Sequence, residues 1–199
     1  MTDSRDRKAS YHHGDLRAAL VDAGLRMLEE REDADLSLRE IARSVGVSAT
    51  AVYRHFPDKE ALRGALAQAA YDRLGDAQRA ATLGKDNVLD EFQAMGRTYV
   101  RFALDHPALF RLMASMPPHG DLFDLTESED DRAAKLLRAY AVKLAGKDAS
   151  PETVRAIAMR SWALVHGLAV LMLQGYVPRD EALIDAVVDT RALGMGRPQ

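Results

Sequence analysis

SLREIARSVGVSATAVYRHFPDK, residues 37–59, is the stretch whose reading decides the fold. Ser37-Leu38-Arg39-Glu40 has the S-x-x-E form of a capping box, in which a hydroxyl and a carboxylate satisfy the first free N–H groups of a helix starting at Leu38. Leu38, Ile41, Ala42 and Val45 then recur at helical spacing and give that helix one apolar face. Gly46 stands where a helix stops on a left-handed residue. Ser48 can cap a second helix from Ala49 to Phe56, which Pro57 ends. Two short capped helices around a tight glycine turn make a helix-turn-helix.

On the second helix Val52 and Phe56 lie one turn apart and point into a small core. Ala49, Thr50, Tyr53 and Arg54 occupy the adjoining arc, left for something outside the domain. Small methyls, a hydroxyl, a phenol and a guanidinium suit a DNA groove: Ala and Thr pack on a thymine methyl, and Thr, Tyr and Arg donate to base edges or phosphates. Asp58 caps the next helix and puts Lys59 in its first turn, where a cation opposes the helix dipole. A phosphate docked there would reverse that penalty, because helix end and ammonium both attract it.

With the preceding helix, HHGDLRAALVDAGLRMLEE, these residues resemble the DNA-binding domain of the TetR (tetracycline repressor) family, the match centring on Val-Tyr-x-His-Phe-x-x-Lys. The resemblance covers the first quarter to third of the chain. It implies that Ala49, Thr50 and Tyr53 face base edges and that Ser37, Ser48, Tyr53, His55 and Lys59 hold phosphates. Ala49 departs from the pattern by offering no hydrogen-bonding side chain, so readout there is less polar. The bland alternative for Tyr53 and His55 is packing between helices.

The chain has 199 residues, 47% hydrophobic and 29% charged, with a net charge of −3. That average does not point to DNA, but charge is local: Arg39, Arg43, Arg54 and Lys59 stand against only Glu40 and Asp58 within residues 37–59. With no cysteine, a disulfide framework or thiolate metal site is impossible. His12 and His13, adjacent and without a partner carboxylate, make a poor chelate; neither a metal nor a cofactor is expected. No signal peptide is evident, and the apolar run from Ala163 to Leu173 is too short to span a bilayer, so a soluble cytoplasmic protein is expected.

Taken in order, residues 1–10 read as a disordered arm, in which Arg5, Arg7 and Lys8 either reach a minor groove or are simply solvated. The DNA-binding domain spans 11–57, its first helix beginning at His13 or Gly14. From Lys59 one long helix carries Leu62, Leu66, Ala70 and Leu74 on a face and fades near Leu83-Gly84-Lys85, a lever between the two parts. The remainder, 58–193, reads as helices only, followed by a disordered tail at 194–199. Asn87 caps a helix to Asp105, and Pro107 opens one to about Met116. Thr126-Glu127-Ser128-Glu129 leads one to Ala145, Ser150-Pro151 starts one through Gln174, and the last runs from about Arg179 to Leu193. The fold class is therefore all-α.

Two features of this second part bear on function. Met95, Tyr99, Phe102 and His106 follow one helix face, Trp162, His166, Val170 and Leu173 another, and Phe110, Met113 and Met116 add soft apolar bulk. The resemblance implies a pocket for a small effector here, apolar or aromatic, with Tyr99, Phe102, His106, Phe110, Met113, Met116, Trp162 and His166 as candidate lining; the alternative is ordinary core. Leu183, Ile184, Val187 and Val188 form a stripe on the last helix beside the apolar 164–173 stretch. The resemblance implies that helices 151–175 and 179–193 pair with the same helices of a second subunit. The expected function is a homodimeric, ligand-responsive regulator of a double-stranded DNA operator, most often a repressor in that family. The alternatives are a non-switching DNA-binding protein and a helical enzyme; an enzyme is not expected, because no nucleophile–base pair, paired carboxylates or phosphate loop is found.

Overall fold

The computed structural model describes residues 13–30, 36–116 and 132–189, and every regular element among them is helical. The elements are α1 (His13–Glu30), α2 (Leu38–Val45), α3 (Ala49–Tyr53), α4 (Lys59–Thr82), α5 (Val88–Asp105), α6 (Pro107–Ser115), α7 (Arg132–Ala145), α8 (Pro151–Leu173) and α9 (Glu181–Val188). The signals that mark their starts act as read. Side chains of Ser37, Ser48, Asp58, Asn87, Ser150 and Asp180 each accept a backbone N–H in the first turn of the helix that follows. Gly46 ends α2 at φ 75°, the left-handed conformation that costs a glycine nothing.

Helix α4 runs along one continuous apolar core. Its first half packs on α1, and Leu62 and Leu66 are buried with Leu20, Leu25, Leu28, Ile41, Val52 and Phe56. Gly24 of α1 makes the crossing close: a Cβ there would stand 2.7 Å from Leu66 Cδ2. The second half, with Ala70, Leu74 and Gly75 buried, packs on α5 and α7. Helix α6 packs on α1, α4 and α5.

Three boundaries differ from the sequence reading. Helix α3 ends at Tyr53 rather than Phe56, because His55 and Phe56 N–H both turn onto the Val52 carbonyl at 2.9 Å. Residue 56 must leave the helical region ahead of Pro57. The last helix begins at Glu181, not Arg179, because Asp180 Oδ1 takes the Leu183 N–H at 2.8 Å. It ends at Val188; the expected extension to Leu193 and the Thr126–Glu129 capping box lie outside the described residues.

Helix α9 packs on α5 of its own chain. Ile184 and Val188 are buried, and a Cβ on Gly96 would stand 2.9 Å from Val188 Cγ1. A polar ladder runs along the seam: Gln93 Nε2 donates to Asp189 at 2.9 Å, Arg97 Nε to Asp185 at 2.5 Å, and Arg101 to both oxygens of Glu181. Half of the expected dimer stripe is thus used within the chain. Helix α8 has the length and apolarity to cross a membrane, longer than the run read from sequence. Its stripe of Val154, Ala158, Ser161, Val165, Leu168, Ala169 and Met172 is buried, and the helix packs on α5, α7 and α9. Met159 and Leu171 are 43% and 44% exposed.

Gly75 sits where α7 begins its run across α4. A Cβ there would stand 2.8 Å from Arg132 Cβ and 2.9 Å from the Ala133 nitrogen, so backbone would have to move. Gly75→Ala is expected to destabilise by up to about 2 kcal/mol, an overpacking cost of about 1–3 kcal/mol less the roughly 1 kcal/mol an alanine adds to helix propensity. Urea denaturation of the two proteins measures it.

Candidate nucleic-acid interface and effector site

The reading surface is built by capping and packing. Val52 and Phe56 anchor α3 from below, and the Arg17 guanidinium of α1 lies over the Phe56 ring at 5.4 Å. This leaves Thr50, Tyr53 and Arg54 exposed, Tyr53 to 47%, with Ala49 half-buried at the edge of the same arc. Arg39 and Arg43 of α2 are exposed, while His55 and Lys59 are half-buried. The wheel drawn from sequence therefore matches the burial of α3.

Three helix starts open in this region. Ser37 Oγ accepts the Arg39 N–H at 3.2 Å, Ser48 Oγ the Ala51 N–H at 3.2 Å, and Asp58 Oδ1 the Ala61 N–H at 2.7 Å. A serine hydroxyl that accepts in this way still has its own O–H to give, which is what a phosphate oxygen requires. Ser37 and Ser48 can therefore cap a helix and hold a backbone phosphate together, whereas the Asp58 carboxylate cannot donate and leaves Lys59 to supply positive charge.

The candidate residues of α5, α6 and α8 divide. Tyr99, Phe110, Trp162 and His166 converge from three helices: His166 stacks on Trp162 at 4.8 Å and lies 5.3 Å from Phe110, whose ring meets Tyr99 edge-on at 6.0 Å. The Tyr99 hydroxyl and His166 Nδ1 are 2.9 Å apart. Burial lowers the His166 pKa from its ordinary value, so a neutral ring with Nδ1 free to accept the phenol proton is favoured. An aromatic wall with one switchable hydrogen bond can receive a flat apolar molecule carrying a single polar group.

The remaining candidates lie around this cluster rather than in it. Met113 is buried in the same core and Met116 stands opposite Gly64 of α4. Phe102 packs on His106 with ring centres 4.9 Å apart, and His106 Nδ1 is 2.8 Å from Glu29 Oε1 on α1. Met95 joins Phe92 and Tyr140 in a separate small cluster. There Gln78 is buried and donates to the Met95 carbonyl, while its own carbonyl oxygen has no partner among the described residues. Periodicity could not have found Gln78 or Glu29, since a polar residue on α1 or α4 reads as surface. No group of three or more metal-binding side chains occurs among the described residues.

The lowered pKa of His166 has a stability consequence. The folded chain binds this proton more weakly than the unfolded one, so stability present above the ordinary value of 6.5 is lost as pH falls below it. The urea midpoint is expected to drop on acidification through this range, and His166→Gln should shrink the drop relative to wild type at the same pH values.

Residues 20–66 match the family of bacterial regulatory proteins, tetR family, and residues 92–191 match the tetracyclin repressor-like C-terminal domain. An HTH-type transcriptional regulator of Mycobacterium tuberculosis is 33% identical over 108 residues, which is 53% of this chain and 46% of that protein. The chain thus matches about half the length of such curated relatives. A second, uncharacterized HTH-type regulator of the same organism is 29% identical over 164 residues, 82% of this chain and 76% of that one. Among solved structures, a protein of unknown function from Rhodococcus sp. RHA1 is 31% identical with a TM-score of 0.71, over 96% of this chain and 98% of that one. With its head and its body each matched by the corresponding family model, this chain belongs to the TetR family of bacterial regulatory proteins.

Proposed function

We propose that the chain is a DNA-binding transcriptional regulator that works as a homodimer in the bacterial cytoplasm and is released from its operator by a small apolar or aromatic effector. The observation that carries this reading is the division of residues 49–56: Val52 and Phe56 are buried in the core, while Thr50, Tyr53 and Arg54 stay exposed beside the capped start of α4. In the proposed complex Ala49, Thr50 and Tyr53 meet base edges in a major groove. Ser37, Ser48, Tyr53, His55 and Lys59 hold the flanking phosphates, and Arg54 donates from the same arc. Two subunits would read half-sites about 34 Å apart.

The dimer surface in this reading is the outer face of α8, where Met159, Ala163 and Leu171 are exposed. Helix α9 would contribute at its edge, since its inner stripe is already covered by α5. The effector would enter beside Tyr99, Phe110, Trp162 and His166. It can change operator affinity only by binding one spacing of the two heads better than another.

Base and phosphate contacts fail differently, and two substitutions separate them. Thr50→Ala should lower the preference for the operator over a scrambled duplex, by about 1 kcal/mol, with little change in the salt dependence. Lys59→Ala should weaken both duplexes alike and reduce the slope of log affinity against log salt by about 1. Binding titrations across a salt series measure both. Wild-type behaviour in both variants would contradict this contact surface.

A further inference from the structure

Arg17, in the second turn of α1, is exposed and carries its guanidinium 5.4 Å from the centre of the Phe56 ring. Phe56 is 1% exposed and stands at the corner where α3 gives way to α4, between His55 and the cap Asp58. The ring therefore holds the guanidinium by one flat face. The five N–H donors of an arginine lie in the guanidinium plane, so this contact leaves them directed sideways. Among the described residues no carboxylate pairs with Arg17. The acids of the same corner are engaged elsewhere, Asp58 with the Ala61 N–H at 2.7 Å and Glu60 3.7 Å from Arg63. One cation of α1 is thus fixed beside the start of α4 with its charge uncompensated.

We propose that Arg17 holds a DNA backbone phosphate beside the corner between α3 and α4, which adds α1 to the contact surface; the inference rests on the DNA-binding reading above. A guanidinium fork fits two phosphate oxygens at once, and one already stacked on a ring is oriented before DNA arrives. Lys59, three residues beyond Phe56, brings a second cation to the same corner. A phosphate carries no sequence information, so the contact contributes affinity and register and no preference among base pairs. The competing role for Arg17 is to shield the Phe56 ring from water, which an apolar side chain would do equally well.

Anisotropy titrations of the full-length protein, on duplex DNA flanking its own gene and on a scrambled duplex of equal length, separate the two roles. Arg17→Leu keeps an apolar cover over Phe56 and Arg17→Gln a flat polar one; both remove the charge. Each should weaken both duplexes alike, by about tenfold at low salt, and reduce the slope of log affinity against log salt by about 0.9. The variant that keeps the wild-type urea midpoint is the one whose slope is read. Arg17→Lys keeps the charge and should restore the slope, with affinity below wild type because an ammonium cannot form the fork. Arg26→Leu, at an exposed arginine further along the same helix, should leave the slope at its wild-type value. An unchanged slope on removal of the Arg17 charge would overturn the proposal. So would an equal fall in Arg26→Leu, failure of Arg17→Lys to restore the slope, or a loss confined to the flanking DNA. Wild-type protein that binds neither duplex would overturn the DNA-binding reading and this contact with it, whereas wild-type binding that Arg17→Leu leaves untouched overturns the contact alone.

Discussion

The structure depends on α4 running through one continuous core and packing on four other helices along its length. Twenty-four residues of unbroken helix, about 36 Å long, bury Leu62 and Leu66 against α1 and Leu74 and Gly75 against α5 and α7. Among the described residues the helix runs without a break from Lys59 to Thr82. Asp58 fixes where the helix begins, and Gly24 and Gly75 set how closely its neighbours approach. Helix α6 packs on both α1 and α4 and completes this arrangement.

Within residues 37–59 Arg39, Arg43, Arg54 and Lys59 outnumber Glu40 and Asp58, while the chain as a whole carries a net charge of −3. In the body, ion pairs serve packing: Arg132 spans Asp72 and Asp76, locking the start of α7 over Gly75, and the Arg97 and Arg101 pairs seat α9 on α5. These are exposed pairs, each worth at most about 1 kcal/mol, and they orient helices whose apolar faces supply most of the stabilisation.

Much of this was legible in the sequence because local chemistry decides it. The serine, aspartate and asparagine caps, the Gly46 stop and the Val52/Phe56 spacing each act within one or two turns, and the helices they announce occur within a few residues of their expected ends. Long-range pairing was not legible. The stripe on α9 read as a surface for a partner, yet Ile184 and Val188 lie on α5; the signal was a second periodicity, acids at 181, 185 and 189 matching Gln93, Arg97 and Arg101 in reverse. His106 shares a helix face with Tyr99, but the chain turns at Pro107, and its ring meets Glu29 instead of the aromatic cluster. Periodicity reports which face a residue shares, and the element packed across that face decides what it touches.

The most direct measurement is binding of the purified protein to DNA flanking its own gene, followed by fluorescence anisotropy across a salt series beside a scrambled duplex of equal length. The account predicts a strong preference for the flanking DNA, with two subunits or more per site and affinity falling as salt rises. Weak and equal binding to both duplexes, or none at low salt, would contradict it.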